Sequence, residues 1–318
     1  MVERKISVII PAYNEAKTLP VLVDSVLRFL GVHFELQIVV VDNGSDDDLY
    51  GALQDYDLVY KRLDDKVYPS VARNIGASLA QHHVLVFFDG DTEILAPWAA
   101  RIDDIWGELS ADAALVTGAK CIVPHNPSFL EKYWFGMLGA LEAPGYINGC
   151  NIITNRTTFN RVDGFDSRLE TGEDVDFSSR CKAAGAVIRH DAMFKLIHHG
   201  YPKSLKGFIN RETWHSKGDF LDFSHFINSR VAVLSVVFLL LHIAALLFIP
   251  WSGYLSVCSL VLLVLLCLLS SYIKFQQMGL KQLLLGSVIF YLYFLGRAIG
   301  FVHYLRDKIV GPKRIIQS

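Results

Sequence analysis

The sequence predicts a mainly parallel α/β domain followed by an α-helical membrane region, and three observations carry that prediction. Residues 38–41 and 84–88 are continuously apolar, as strands covered on both faces must be. Between an earlier β-rich run, residues 6–10, and the second strand, Leu19, Leu22, Val23, Val26, Leu27 and Leu30 recur at helical spacing and line one helix face. Finally, residues 231–249, 253–273 and 283–303 are three apolar stretches, each near the ~20 residues a helix needs to cross a bilayer.

Each strand run ends in a polar loop. The first is followed by Pro11-Ala12-Tyr13-Asn14-Glu15, the second by Asp42-Asn43-Gly44-Ser45, the third by Asp89-Gly90-Asp91. All three loops belong to the carboxyl edge of the sheet, where open α/β folds bind ligands. Two carboxylates one residue apart suit Mg²⁺ or Mn²⁺, hard cations that share oxygen ligands with substrate phosphates. Read singly, the same residues have plainer explanations. Asp-Gly-Asp is an acidic turn, Asp42 an Asx turn, and Ser45 a helix cap. Arg73 is a solvated side chain on a helix whose apolar side is Val71, Ile75 and Leu79. Asp174 is an N-cap ahead of Phe177 and Cys181.

At 318 residues with 52% hydrophobic content, the chain has material for one large core or two domains. We place the boundary at 228, with residues 1–228 as the α/β domain, 202–228 as its interfacial segment and 229–318 as the membrane region. In that segment Lys203, Lys206, Arg211 and Lys217 interleave with Leu205, Phe208, Ile209, Trp214, Phe220, Leu221 and Phe223, an amphipathic element for a membrane surface. A second aromatic stretch, Phe129, Leu130, Tyr133, Trp134, Met137, Leu138 and Leu141, has helical spacing and reads as core packing or as a membrane-facing rim.

Charge follows the same division. The part from 229 onward holds eight of the 30 Lys and Arg but one of the 32 Asp and Glu. No basic, aromatic-studded face points to nucleic acid, whereas Lys313 and Arg314 suit anionic headgroups. Five cysteines without CxxC spacing read as reduced thiols. With no signal-like segment before the first strand, the α/β domain is expected in the cytoplasm. Three crossings would then carry Arg306, Lys308, Lys313 and Arg314 to the far side, against the positive-inside preference. Either one stretch does not span or the tail defies the bias; Arg297, late in the third stretch, would snorkel or pair.

Taken together, Ser7-Val8-Ile9-Ile10-Pro11-Ala12-Tyr13-Asn14-Glu15, Val41-Asp42-Asn43-Gly44-Ser45-Asp46-Asp47, Ala72-Arg73-Asn74-Ile75-Gly76, Asp89-Gly90-Asp91 and Gly172-Glu173-Asp174 make residues 5–200 resemble a family 2 glycosyltransferase of the GT-A fold. The resemblance implies roles. Pro11, Ala12, Tyr13 and Glu15 would wrap the base and ribose of a nucleotide sugar, UDP- or GDP-linked, and Asp42 would accept a hydrogen bond from the base. Arg73 would contact the diphosphate or the nucleotide, and Gly90 and Asp89 would belong to the nucleotide-sugar site, Asp89 touching the ribose or the metal through water. Asp89 and Asp91, with His198 (or its neighbour His199), would hold Mg²⁺ or Mn²⁺. Asp174, beside Glu173, would be the general base of an inverting displacement. Asn151, in the segment Gly145 to Asn151, would line the sugar and acceptor pocket. Arg211 and Trp214 loosely resemble an acceptor-bracketing motif but depart from the Gln-x-x-Arg-Trp spacing of processive synthases.

The expected activity is transfer of a sugar to a hydroxyl of a lipid-linked, polyprenyl-diphosphate glycan in cell-surface polysaccharide or glycan assembly, by an integral protein of the inner or plasma membrane among its lipids. The alternatives are polyprenyl-phosphate glycosyl transfer of the dolichyl-phosphate mannose synthase type, a processive synthase, and a non-catalytic nucleotide-sugar-binding scaffold.

Overall fold

A computed structural model of the chain describes residues 4–141, 145–220 and 223–310. Two compact units emerge, one from residues 1–125 and 142–201, the other from residues 126–141 and 202–318.

The first unit is built on a seven-stranded sheet. Its strands are β1 (Lys5–Ala12), β2 (Glu35–Asp42), β3 (Val59–Arg62), β4 (Val84–Phe88), β6 (Leu115–Gly118), β7 (Asn151–Asn155) and β8 (Val187–His190), in the order β3-β2-β1-β4-β7-β6-β8. β5 (Thr92–Ile94) and β9 (Leu196–His198) form a separate antiparallel pair. Every pairing in the large sheet is parallel except the two made by β7. The apolar runs explain the centre of the sheet: all of β4 and the interior of β1 are buried, with helices on both sides. Helix α1 (Leu19–Leu30) buries Leu19, Leu22, Val23, Val26 and Leu30 on one face, while Leu27 turns outward. Two further helices matter for the site, α2 (Pro69–Leu79) and α3 (Glu173–Ala183).

In the second unit the aromatic stretch forms a π-helical turn, Glu131–Phe135, continued by a short helix, Gly136–Ala140. Trp134 sits at its centre, edge-on to Phe208, Phe275 and Phe290, and is buried. Core packing is therefore the use this stretch finds. It is followed by α4 (Leu205–Asp219), α5 (Phe223–Asn228), α6 (Arg230–Leu247), α7 (Gly253–Phe275) and α8 (Leu280–Val310). Leu221, Lys313 and Arg314 lie outside the described residues. The last three helices are long and apolar enough to cross a membrane.

The third helix, Leu280–Val310, runs past both ends of the expected 283–303, and its interior holds Arg297. Its guanidinium pairs with Glu212 at 3.2 Å and with Asp219, so the helix continues past a charge that already has partners. Glu212 also takes Arg211 at 2.6 Å and is fully buried. Arg211 lies over the Phe135 ring at 5.0 Å, and Trp214 is partly exposed with its ring against His215. All five cysteines are unbridged.

Candidate active site

Two strand ends and one short strand pair gather the acidic residues of the cluster. β4 delivers Asp89 and Asp91 at its carboxyl end, and the β5–β9 pairing, Thr92 opposite His198, lays the histidine beside them. Asp89, Asp91 and His198 each present a ligand atom within 4.8 Å of the others. His198 Nε2 stands 3.6 Å from Asp91 Oδ1, beyond hydrogen-bond reach, while the Gly200 amide donates to Nδ1 at 3.2 Å. His199 turns away to Glu93, 3.0 Å from its Nε2, which leaves His198 as the histidine of the cluster.

The first loop adds a third carboxylate. Glu15 does not reach outward to a ribose; its Oε2 is so near the chain that a Cβ on Gly90 would lie 2.2 Å from it. Glu15 Oε2 and Asp91 Oδ1 are buried and have no hydrogen-bond partner. Burial, reinforced for Glu15 by Asp91 and Asp89 and for Asp91 by Asp89, raises both pKa values. Such crowding of acceptor-only oxygens is costly without a cation among them. The donor set, carboxylate oxygens with one imidazole, fits Mg²⁺ or Mn²⁺.

Close backbone approach completes the cluster. A Cβ on Gly200 would sit 1.6 Å from Asp91 Oδ2. Gly200→Ala is accordingly expected to displace the Asp91 carboxylate and to weaken Mn²⁺ binding at least about tenfold. The thermal shift of the protein across a Mn²⁺ titration measures this.

Arg73 is not solvated. Its side chain is 4% exposed, with Nη1 on Glu173 Oε1 and Nη2 on Asp89 Oδ1, both at 2.6 Å, and its plane lies over Phe165 at 5.7 Å. Burial works against its charge, but Asp89 and Glu173 raise its pKa further above the usual arginine value. A Cβ on Gly149 would come within 3.0 Å of Nη2, so glycine is what lets the guanidinium lie there. Arg73 thus ties the cluster to the start of α3.

There Asp174 follows Gly172, which caps the helix in the left-handed region at φ 80°. Asp174 is therefore inside the first turn and is not the cap. Its oxygens accept from the Gly149 amide at 3.0 Å and the Val175 amide at 2.8 Å. Burial first, then Glu173, pushes its pKa up to about 6, although those amides and Arg73 pull the other way. A carboxylate poised there can take a proton near neutral pH.

Two expectations need correction. Asp42 does not face a ligand, because its side chain is wholly buried and its oxygens take Ser45 N at 2.8 Å, Tyr60 Oη at 2.5 Å and Arg62 Nη1 at 2.7 Å. Burial opposes its charge, yet these partners hold its pKa below the ordinary value. Asn151 likewise has no free surface; its amide donates to the Ala119 and Phe194 carbonyls at 3.2 and 2.7 Å, and its oxygen meets Trp98 Nε1 at 3.3 Å. It packs the interior next to the site.

Ser45 is not the cap of the next helix, a place taken by Asp48, which accepts from the Gly51 amide at 2.9 Å. The Ser45 hydroxyl accepts from the Asn14 amide at 3.0 Å, and Asp46 and Asp47 bond back to the first loop, so the loops after β1 and β2 are one hydrogen-bonded body. Asn74 clamps the 165–167 turn, bonding Phe165 through both its amide nitrogen and its oxygen. Tyr13 has its ring face under Lys66 Nζ, 3.3 Å from the centroid, and its hydroxyl on Asp46 at 3.2 Å. Tyr60, Arg62 and Lys66 were not expected at the site. The β2–β3 register, which pairs Asp42 with Arg62, brings in the first two, and Asn43, bonded to Val67 through both its amide nitrogen and its oxygen, holds the segment of Lys66.

Residues 7–159 match the sequence model of Glycosyl transferase family 2. This part of the chain belongs to that family. The chain is 27% identical over 230 residues to the pre-mycofactocin glycosyltransferase of Mycobacterium tuberculosis, across 67% of this chain and 46% of that protein. It is 26% identical over 201 residues to glycosyltransferase AglE of Haloferax volcanii, across 59% of this chain and 65% of that protein. The matched region therefore spans about half to two thirds of these relatives. Among solved structures, the mannosyltransferase PcManGT from Pyrobaculum calidifontis, in complex with GDP-Man and Mn²⁺, shares the fold of this chain. The TM-score is 0.57 at 15% identity, over 97% of this chain and 89% of that one.

Proposed function

We propose that the protein is a membrane-anchored inverting glycosyltransferase that moves a sugar from a nucleotide-diphosphate donor to a hydroxyl of a lipid-linked glycan, with its α/β domain on the cytoplasmic face. One observation carries this reading. One buried arginine joins the cation-ready set, through Asp89, to Glu173, the neighbour of the proton-accepting Asp174.

Asp89, Asp91 and His198 would hold Mg²⁺ or Mn²⁺, which when bound supplies positive charge to a departing nucleoside diphosphate. Glu15 supports that set from behind Gly90. Asp174 accepts the acceptor proton as the hydroxyl attacks, and the Gly149 and Val175 amides fix the carboxylate for it. Arg73 keeps Asp89 and Glu173 at a fixed separation. The joined loops after β1 and β2, with Tyr13, Arg62 and Lys66 at their surface, are the surroundings for the nucleotide. Arg211 is committed to Glu212 and Phe135 within the second unit, so Trp214 is the stronger of the two acceptor contacts expected there.

An acceptor that is already an anion, such as a polyprenyl phosphate, needs no base. The raised pKa of Asp174 favours a hydroxyl acceptor for that reason. The test uses the full chain in lipid with Mn²⁺, a panel of UDP- and GDP-sugars, and lipid acceptors ending in either a glycan hydroxyl or a bare phosphate. We expect one donor to raise the melting temperature in a Mn²⁺-dependent way and to be transferred to the hydroxyl acceptor. Transfer to bare phosphate alone would overturn the hydroxyl reading, and absence of any Mn²⁺-dependent donor binding would overturn the catalytic one.

A further inference from the structure

The contacts of α8 fix the level of both its ends. α6 and α7 run side by side and are joined only by residues 248–252, a connection short enough to make the helices antiparallel neighbours. The Ser256 hydroxyl on the Ala245 carbonyl, 2.6 Å, ties them at the turn. The start of α6 and the end of α7 therefore lie together at the other, near end of this hairpin.

α8 begins at the near end. It follows Phe275 after residues 276–279, Ser271 Oγ donates to the Leu283 carbonyl at 2.7 Å, and Phe275 meets Phe290. Its later half is at the near end as well. Phe301 packs on Phe220 and Phe226, just before α6 starts, and Arg297 pairs with Asp219, which also holds the Ser229 hydroxyl that caps α6. The deepest contact along α6 is His242 Nε2 on the Tyr291 hydroxyl, 3.1 Å.

Glycines press this later half onto α4. A Cβ on Gly296 would lie 2.8 Å from the Ile209 carbonyl oxygen, and one on Gly300 would lie 1.7 Å from Ser216 Oγ. α4 carries Lys206, Arg211, Glu212, Lys217 and Asp219, too many charges for hydrocarbon. The part of α8 laid along it is therefore outside the hydrocarbon too.

We infer that only α6 and α7 cross the bilayer and that α8 lies along its near interface, with the lipid surface as the partner of its exposed apolar stripe. Leu280, Leu284, Val288, Val302, Leu305 and Ile309 form that stripe. The bilayer is the occupant because the stripe continues from the apolar hairpin and has Lys281, Arg306 and Lys308 alongside it. The charge conflict in the sequence disappears with two crossings: Arg230, Lys274, Lys281, Arg306 and Lys308 all fall at the near end, whereas the far turn, residues 248–252, carries Trp251 and no charge.

The test labels the full chain in sealed, oriented vesicles with a membrane-impermeant maleimide, using Trp251→Cys for the far turn, Gln277→Cys for the α7–α8 connection and Lys308→Cys for the end of α8. Asp307→Cys duplicates the last position should Lys308→Cys express poorly. The wild type, whose cysteines are buried or lie in the apolar hairpin, gives the background. We expect Gln277→Cys and Lys308→Cys to react from one face and Trp251→Cys from the other, each at least tenfold over the opposite face. Lys308→Cys reacting from the face of Trp251→Cys would show a third crossing and overturn the inference; Trp251→Cys reacting with Gln277→Cys would overturn the hairpin. Neither outcome depends on sugar transfer.

Discussion

Asp174→Asn is expected to lower the rate of transfer about 10²- to 10⁴-fold while leaving the protein as stable as wild type or more so at pH 7. The sign follows from its environment. A carboxyl whose pKa is raised from 3.8 to about 6 on folding binds its proton more tightly folded than unfolded. Stability is then lost as pH rises through that window, and at pH 7 the buried charge costs up to about 3 kcal/mol. Asparagine removes the charge and keeps one acceptor for the Gly149 or Val175 amide, for a net gain of about 1–2 kcal/mol at pH 7 that vanishes below pH 4. A capping role predicts the reverse, a loss of about 1 kcal/mol. Melting temperatures at pH 4 and pH 7, set beside the rate, separate the two. In the wild type the rate should rise with pH through about 6, and a profile flat from pH 5 to 8 would remove Asp174 as the base.

Arg73→Ala is expected to cost about 3–5 kcal/mol, on the order of 10 °C in melting temperature, and to abolish transfer. The guanidinium is buried between Asp89 and Glu173, and removing it leaves two partly buried carboxylates facing each other without compensation. Arg73→Lys restores one charge but not the two-pronged reach to both partners, so it should recover part of the stability and little of the activity. Thermal unfolding of the three proteins in one detergent decides this; an unchanged melting temperature in Arg73→Ala would show that the bridge does not hold the site together.

The arginine also shows where reading the chain reaches its limit. Its spacing with Val71, Ile75 and Leu79 places it on a helix, and that much is local. What it touches depends on residues sixteen positions downstream and a hundred positions downstream, and no local pattern encodes such pairings. Asp42 is the same case in reverse. Its place at the end of an apolar strand suggests a ligand contact, but the β2–β3 register delivers Arg62 and Tyr60 to its oxygens and closes it off. The Asp89-Gly90-Asp91 loop fared differently, because a strand end is a local feature and the sheet edge follows from it.

By itself, then, the sequence determined the alternation of buried strands and one-sided helices, the polar loops at the strand ends, and three helices apolar enough for a membrane. These are consequences of hydrophobic period and turn chemistry, which act over a few residues. The tertiary structure alone decided that Glu15 lies behind Gly90, that His198 rather than His199 faces Asp91, and that Arg73 bridges Asp89 to Glu173. It also gave Arg297 its two carboxylates on α4 and so laid one end of α8 beside a charged helix. Each of these is a contact between distant segments, chosen by which buried charge finds which partner.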